Sequence, residues 1–162
     1  MMRNILFAAL AAAAFAFAPA AQAQADPAAM APIKSFTNAF NTGDLAAIFA
    51  AHAETDLTII DEVPPHIWRG PKAVAAWLVS LAAHDKAVGR TDGGVSVGDP
   101  QVVTTEGDRG YAVVPAVYTF KEKGVAMREP ATITFALLKT AKGWQIAGWT
   151  WNGTVPAPVA AK

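Results

Sequence analysis

The chain has 162 residues, 53% of them apolar, and its 13 basic residues balance 13 acidic ones. That length favours one domain with a sizeable core. A neutral chain without a Lys/Arg run lacks the basic face that nucleic-acid binding requires. There is no cysteine, so stability must come from burial and not from disulfides.

Arg3 precedes an uninterrupted apolar run from Ile5 to Ala18, which Pro19 breaks. A positive start and an apolar stretch too short to span a bilayer comfortably read as an export signal. Ala21-Gln22-Ala23 and Ala23-Gln24-Ala25 each place small residues at a cleavage site, after Ala23 or after Ala25. The chain thus divides into a signal peptide over 1–23, an Ala/Pro linker over 24–31, a folded domain over 32–153 and a disordered tail over 154–162. A periplasmic or secreted location follows, with no membrane attachment after cleavage. Without cysteine there is no lipoprotein anchor.

Pro32 suits the first turn of a helix, and Ile33, Phe36 and Phe40 form an apolar stripe along it. Asn41-Thr42-Gly43 ends that helix, and Asp44 caps a second over about 45–53, with Leu45, Ile48, Phe49 and His52 as its stripe. Asp56 to Asp61 reads as a strand, Glu62-Val63-Pro64-Pro65 as a turn and His66 to Arg69 as a short returning strand. Gly70-Pro71 opens a third helix, in which Val74, Trp77, Leu78, Leu81 and His84 or Asp85 share a face, ending near Gly89. Strands follow over Val95 to Thr105, bent at Gly98-Asp99-Pro100, and over Tyr111 to Lys121, with Pro115 marking a bulge or edge. Two more run over Val125 to Lys139 and Gly143 to Asn152.

Strict alternation along the last strand puts Trp144, Ile146, Gly148 and Thr150 on one face and Gln145, Ala147, Trp149 and Trp151 on the other. Neither face is polar. The expectation is therefore helices on one side of the sheet and a second copy of the chain on the other. The fold class is α+β, with three N-terminal helices against a curved sheet.

Four stretches in this order resemble the nuclear transport factor 2-like superfamily, in its SnoaL-like and ketosteroid-isomerase-like branch: Phe36 to Asp44, His52 to Asp56, Trp68-Arg69-Gly70-Pro71 and Gly143 to Ile146. The resemblance covers about residues 32–153. It implies a cone-shaped, curved antiparallel or mixed β-sheet packed against the three helices (a cystatin-like α+β barrel), a pocket inside the cone, and homodimerisation through the outer sheet face. It also places Asp61 at the position of the family's general base and Phe36 at that of a tyrosine whose hydroxyl assists the reaction. No second acid falls within Ala131 to Leu138, where the family carries one.

The candidate catalytic residues are Asp61, as a base at the mouth of an apolar pocket, and His84, on the stripe of Trp77 and Leu81, as an acid or base near neutral pH. Phe36, Phe40, Trp68, Trp77, Leu81, Tyr118, Phe135 and Trp149 are expected to line the pocket, with indole N–H groups as polar handles. His52 is expected to pack in the core. His66 and Trp68, on one face of their strand, are placed over the opening. Asp61 and Glu62, as strand neighbours, should point to opposite faces, and Arg128-Glu129 reads as a solvated edge pair. Three histidines without a His-x-His or cysteine partner make no metal site. No Gly-rich phosphate loop or haem-attachment motif calls for a cofactor. The leading expectation is an exported protein that binds a small apolar or aromatic molecule. The alternatives are a lyase or isomerase using Asp61, and a dimerising association module without catalysis.

Overall fold

The computed structural model describes residues 25–55 and 57–160; the expected signal peptide lies outside them. A 3-10 turn over Pro27–Met30 leads into α1 (Ala31–Thr42) and α2 (Leu45–Ala51). Gly43, in the left-handed conformation at φ 68°, ends α1. The Asp44 carboxylate then accepts from Ala47 N–H at 3.0 Å to start α2. Strands β1 (Thr58–Ile60) and β2 (Ile67–Arg69) form a small hairpin before α3 (Ala73–Val88). The sheet continues with β3 (Arg90–Val97), β4 (Val102–Glu106), β5 (Arg109–Glu122), β6 (Val125–Thr140), β7 (Gly143–Gly153) and β8 (Ala157–Pro158). Its order is β2-β1-β7-β6-β5-β3, with β4 beside β5 and β8 beside β6. Among the described residues the β1–β7 pairing is parallel, as is the isolated bridge from His52 to Ile146, and the other strand pairs are antiparallel. The sheet is open, mixed and curved, and the three helices cover its concave face, as the expected α+β cone requires.

The strand read over 95–105 is two strands. β3 and β4 pair with different halves of β5 and break at Gly98-Asp99-Pro100. Pro115 sits opposite that break. Its carbonyl accepts from Gly98 N–H, and a strand residue's N–H and C=O point the same way. The donor that proline lacks therefore falls where no partner strand needs it.

Three expectations are corrected. The linker over 24–31 is ordered from Asp26. That carboxylate caps Ala28 and accepts from Lys139 Nζ at 3.0 Å and Trp144 Nε1 at 2.9 Å, and these bonds hold the 3-10 turn, with Ala29 fully buried, against the sheet. The tail over 154–162 is not wholly irregular, because β8 pairs with Met127 and Arg128 and covers an edge of β6.

The third correction concerns the faces of β7. Its register against β6 shifts between Ala136 and Leu137, leaving Ala147 as an extra residue. A bulge of this kind reverses the alternation beyond it. Trp144, Ile146, Trp149 and Trp151 pair with Lys139, Leu137, Phe135 and Ile133, alternate residues of β6 that share one face. All four therefore face the helices. The outer face of β7 carries Gln145, Gly148, Thr150 and Asn152 and is not apolar. Gln145 is buried because its amide donates to the Ala50 and His52 carbonyls that end α2.

Candidate functional site

The concave side encloses a cavity of about 50 Å³, room for roughly four waters at ~10–15 Å³ each. The cup is thus neither solid to its base nor wide. Phe36, Thr37 and Phe40 from α1, Trp77 and Leu81 from α3, Tyr118 from β5, Ile133 from β6, and Trp149 and Trp151 from β7 form its walls. Asp61, Glu62 and Val63 enter from the turn after β1, and Arg90 and Val95 from β3. The Thr37 hydroxyl bonds back to the Ile33 and Lys34 carbonyls, so the ionisable polar groups of the lining are Asp61, Glu62, Arg90 and Tyr118.

Asp61 lies just past the end of β1. Its backbone N–H donates to the His66 carbonyl, and His66 N–H to Val63, which tightens the turn. The side chain turns inward and accepts from Trp77 Nε1 at 2.6 Å. Burial raises the Asp61 pKa above the usual carboxylate range, and the Trp77 N–H opposes that rise. Glu62 lines the same cavity, contrary to the expectation of opposite faces. The strand stops at Ile60, so alternation no longer applies. Glu62 keeps 39% of its side chain exposed at the mouth. Burial of its inner part, then the charges of Glu129 and Asp61, push its pKa up to about 7.

Glu129 is not part of a solvated pair. Alternation along β6 leaves Arg128 exposed and turns Glu129 inward, where it is 0% exposed. One oxygen accepts from Trp151 Nε1 at 2.9 Å, and the other has no donor. Burial raises its pKa. Arg90 has 7% of its side chain exposed, and its nearest carboxylate oxygens are 3.6 Å away on Glu122, 3.9 Å on Asp85 and 4.0 Å on Glu62. Its guanidinium lies 3.9 Å from the centre of the Phe120 ring, a cation–π contact. Burial, then the charge of Asp85, push the Tyr118 hydroxyl up to about 12, so it stays protonated.

Below the cavity, His52 is 3% exposed. Trp149 Nε1 donates to its Nε2 at 3.2 Å. An indole N–H can only donate, so Nε2 carries the lone pair and Nδ1–H donates to the Ile48 carbonyl at 2.8 Å. Burial lowers its pKa to about 4. The Phe36 ring stands edge-on to it at 4.8 Å.

Of the residues expected to line the pocket, Phe36, Phe40, Trp77, Leu81, Tyr118 and Trp149 do so. Trp68 and Phe135 are buried but face elsewhere. Trp68 Nε1 donates to Ser80 on α3, and Phe135 is sealed in the core. His66 precedes β2 and is exposed in the turn. His84 does not line the cavity. It sits in the last turns of α3 beside Asp85, and there it is Asp85 that turns to Arg90 of the cavity wall, at 3.9 Å. Arg90, Glu62 and Glu129 were missed. The alternation that turns Glu129 inward was available, whereas nothing local marks Arg90. Among the described residues no group of three or more His, Asp or Glu side chains could hold a metal, and no helix is long and apolar enough to cross a membrane.

The architecture is that of the nuclear transport factor 2-like α+β cone. A ketosteroid isomerase-like protein of Erwinia carotovora atroseptica matches with a TM-score of 0.58 at 21% identity, over 83% of this chain and 95% of that one. A nuclear transport factor 2-like superfamily protein of Salmonella enterica serovar Typhimurium gives 0.64 at 13% identity, over 78% and 88%. A hexachlorocyclohexane dehydrochlorinase gives 0.64 at 10% identity, over 83% and 91%. Identities this low speak for the fold alone. The sequence model of the SnoaL-like domain matches residues 29–151, and the chain belongs to that family. No curated protein sequence matches it.

Proposed function

We propose that this chain moves a proton on a small apolar or aromatic guest, as a lyase or isomerase, with Asp61 as the base. The observation that carries the reading is the Asp61 carboxyl among aromatic and aliphatic walls, held at 2.6 Å by an indole N–H. A carboxylate desolvated in this way is a stronger base than one in water. The ketosteroid isomerase-like protein and the dehydrochlorinase among the structural relatives agree with it. Asp61→Asn keeps an acceptor for Trp77 and removes the base. Turnover of a substrate found by screening should fall about 10²–10⁴-fold with the circular dichroism unchanged. Undiminished turnover refutes the assignment.

A second reading, binding without catalysis, is favoured by Phe36, which offers no hydroxyl where the resemblance places a tyrosine. It expects a ligand that raises the melting temperature and is not converted.

Export and self-association belong to the same proposal. Export predicts a mature chain starting at Gln24 or Asp26, read by mass spectrometry. Pairing through the outer sheet face is supported by exposed Val102 and Tyr111, and sedimentation of Tyr111→Glu tests it.

A further inference from the structure

We infer that Arg90 anchors the guest, and that the guest is a small apolar molecule carrying an uncharged oxygen acceptor. This rests on the guest cavity proposed above and not on the assignment of Asp61. Arg90 lines the cavity, and its side chain is only 7% exposed. Its Nε is buried without a hydrogen-bond partner. The nearest carboxylate oxygens stand 3.9 Å from Nε on Asp85, 3.6 Å from Nη2 on Glu122 and 4.0 Å from Nη1 on Glu62. A charge-assisted bond is about 2.7–2.9 Å long, so the three carboxylates balance the charge of Arg90 without taking up its donors. Asp85 Oδ1 is itself buried without a partner, so that carboxylate does not close onto the arginine.

The sheet holds Arg90 in this state. The pair Arg90↔Glu122 opens the β3–β5 ladder, and Tyr118, Phe120 and Glu122 are alternate residues of β5 that share one face. The guanidinium lies 3.9 Å from the centre of the Phe120 ring and 5.6 Å from that of Tyr118. Stacking on an aromatic face fixes the guanidinium plane and leaves the in-plane N–H groups free at its edge. A donor fixed before the ligand arrives costs little ordering when it is used.

The rest of the lining decides which ligand fits. The indole N–H groups of Trp77, Trp149 and Trp151 are taken by Asp61, His52 and Glu129, and Arg90 is the one cation among the lining residues. A hydrocarbon guest would cover the guanidinium and leave its donors unmet. An anionic guest would meet Asp61 and Glu62 in the lining, with Asp85 and Glu122 around the arginine, and like charges so close repel. An uncharged carbonyl or ether oxygen accepts from Arg90 and adds no charge. The cavity of about 50 Å³ limits the rest of the guest to a few carbon atoms. Arg90 thus selects for an oxygen acceptor, and its acidic neighbours exclude carboxylates.

Nitrogen-15 spectra of the Trp77, Trp149 and Trp151 indoles, recorded on the full chain at pH 8, report the binding of three small probes. Xenon makes no hydrogen bond, 2-butanone carries an uncharged acceptor, and propanoate carries a charge in a similar shape. Xenon and 2-butanone should shift the indole signals, and propanoate should bind at least about tenfold more weakly than 2-butanone. In Arg90→Met, 2-butanone affinity should fall about tenfold while xenon binding persists. The carbonyl carbon-13 signal of bound 2-butanone needs no variant. On the unmodified chain it should lie downfield of its position in cyclohexane, as an accepted hydrogen bond requires. Equal binding of propanoate and 2-butanone, unchanged 2-butanone affinity in Arg90→Met, a bound carbonyl at its cyclohexane position, or xenon binding without 2-butanone binding would each overturn the Arg90 assignment alone. Indole signals moved by neither xenon nor 2-butanone would overturn the guest cavity, and the role of Arg90 with it.

Discussion

Acid should open the floor of the cavity through His52. Its neutral ring accepts from Trp149 and donates to Ile48. A second ring proton would sit on Nε2, facing the Trp149 N–H, donor against donor. The folded pKa of about 4 lies below the ordinary 6.5. A depressed value means stability that is full above the unfolded pKa and lost as pH falls through the folded one. The 2.5-unit difference corresponds to about 3 kcal/mol at ~1.36 kcal/mol per unit. The raised carboxyls act in the opposite sense, gaining folded stability as pH falls, so the unmodified chain alone would not isolate the histidine. His52→Gln keeps an acceptor and a donor but cannot titrate, and the carboxyl contributions cancel in the difference between the two chains. Urea unfolding at pH 7.5, 6, 5 and 4 should find the unmodified chain more stable at pH 7.5, with the gap closing by about 3 kcal/mol by pH 4. A gap that stays constant across that range would refute a neutral, buried His52.

Gly153→Ala puts a methyl group onto the Glu129 oxygen and 2.6 Å from Trp151 Nε1. Breaking that buried bond should cost about 1–3 kcal/mol in urea unfolding, and unchanged stability would mean that Glu129 is not pinned there. Deleting residues 155–162 removes β8 and the Val159 N–H to Ala126 bond. The melting temperature should drop by a few degrees and the amides of 126–128 should exchange faster; a tail without structural role would change neither. Asp26 is held at about 2, first by the Trp144 N–H, then by Ala28 and Lys139. Its contribution is present above about pH 4 and fades as pH falls through 2. Asp26→Ala should speed amide exchange over 28–30 at neutral pH, and unchanged exchange would show that the N-terminal strap holds without it.

The elements legible in the sequence were those with strong local signals. Pro32, Asp44 and Gly89 mark helix ends by chemistry that acts within one turn, and the helices stand where those residues put them. Asp61 in the cavity followed from a resemblance and an apolar setting. Illegible were the features set by partners distant in sequence. Arg90 opens β3 beside a helix cap, and only the pairing Arg90↔Glu122 brings it to the cavity. Glu129 looked solvated beside Arg128 because a charged pair in a strand usually is, yet the two point to opposite faces. His84 was placed on the stripe of Trp77 and Leu81, whereas at that end of α3 it is Asp85 that faces Arg90 of the cavity wall.

One residue, Ala147, governs most of what the indoles do. Without the bulge, Trp144 would face away from Trp149 and Trp151, and the outer sheet face would be as apolar as the inner. With it, the indoles of β7 converge on the helices, and each N–H meets an acceptor: Asp26, His52 and Glu129. Trp77 and Trp68 are likewise satisfied, by Asp61 and Ser80. The five indoles therefore have no N–H to offer a guest. An indole presents an apolar face together with a donor that does not ionise at ordinary pH, so it can wall an apolar cavity and still hold a carboxylate or imidazole beside it. Four of the five tryptophans thus hold titratable groups, and the ionisable groups of the cavity lining left without an indole partner are Glu62, Arg90 and Tyr118.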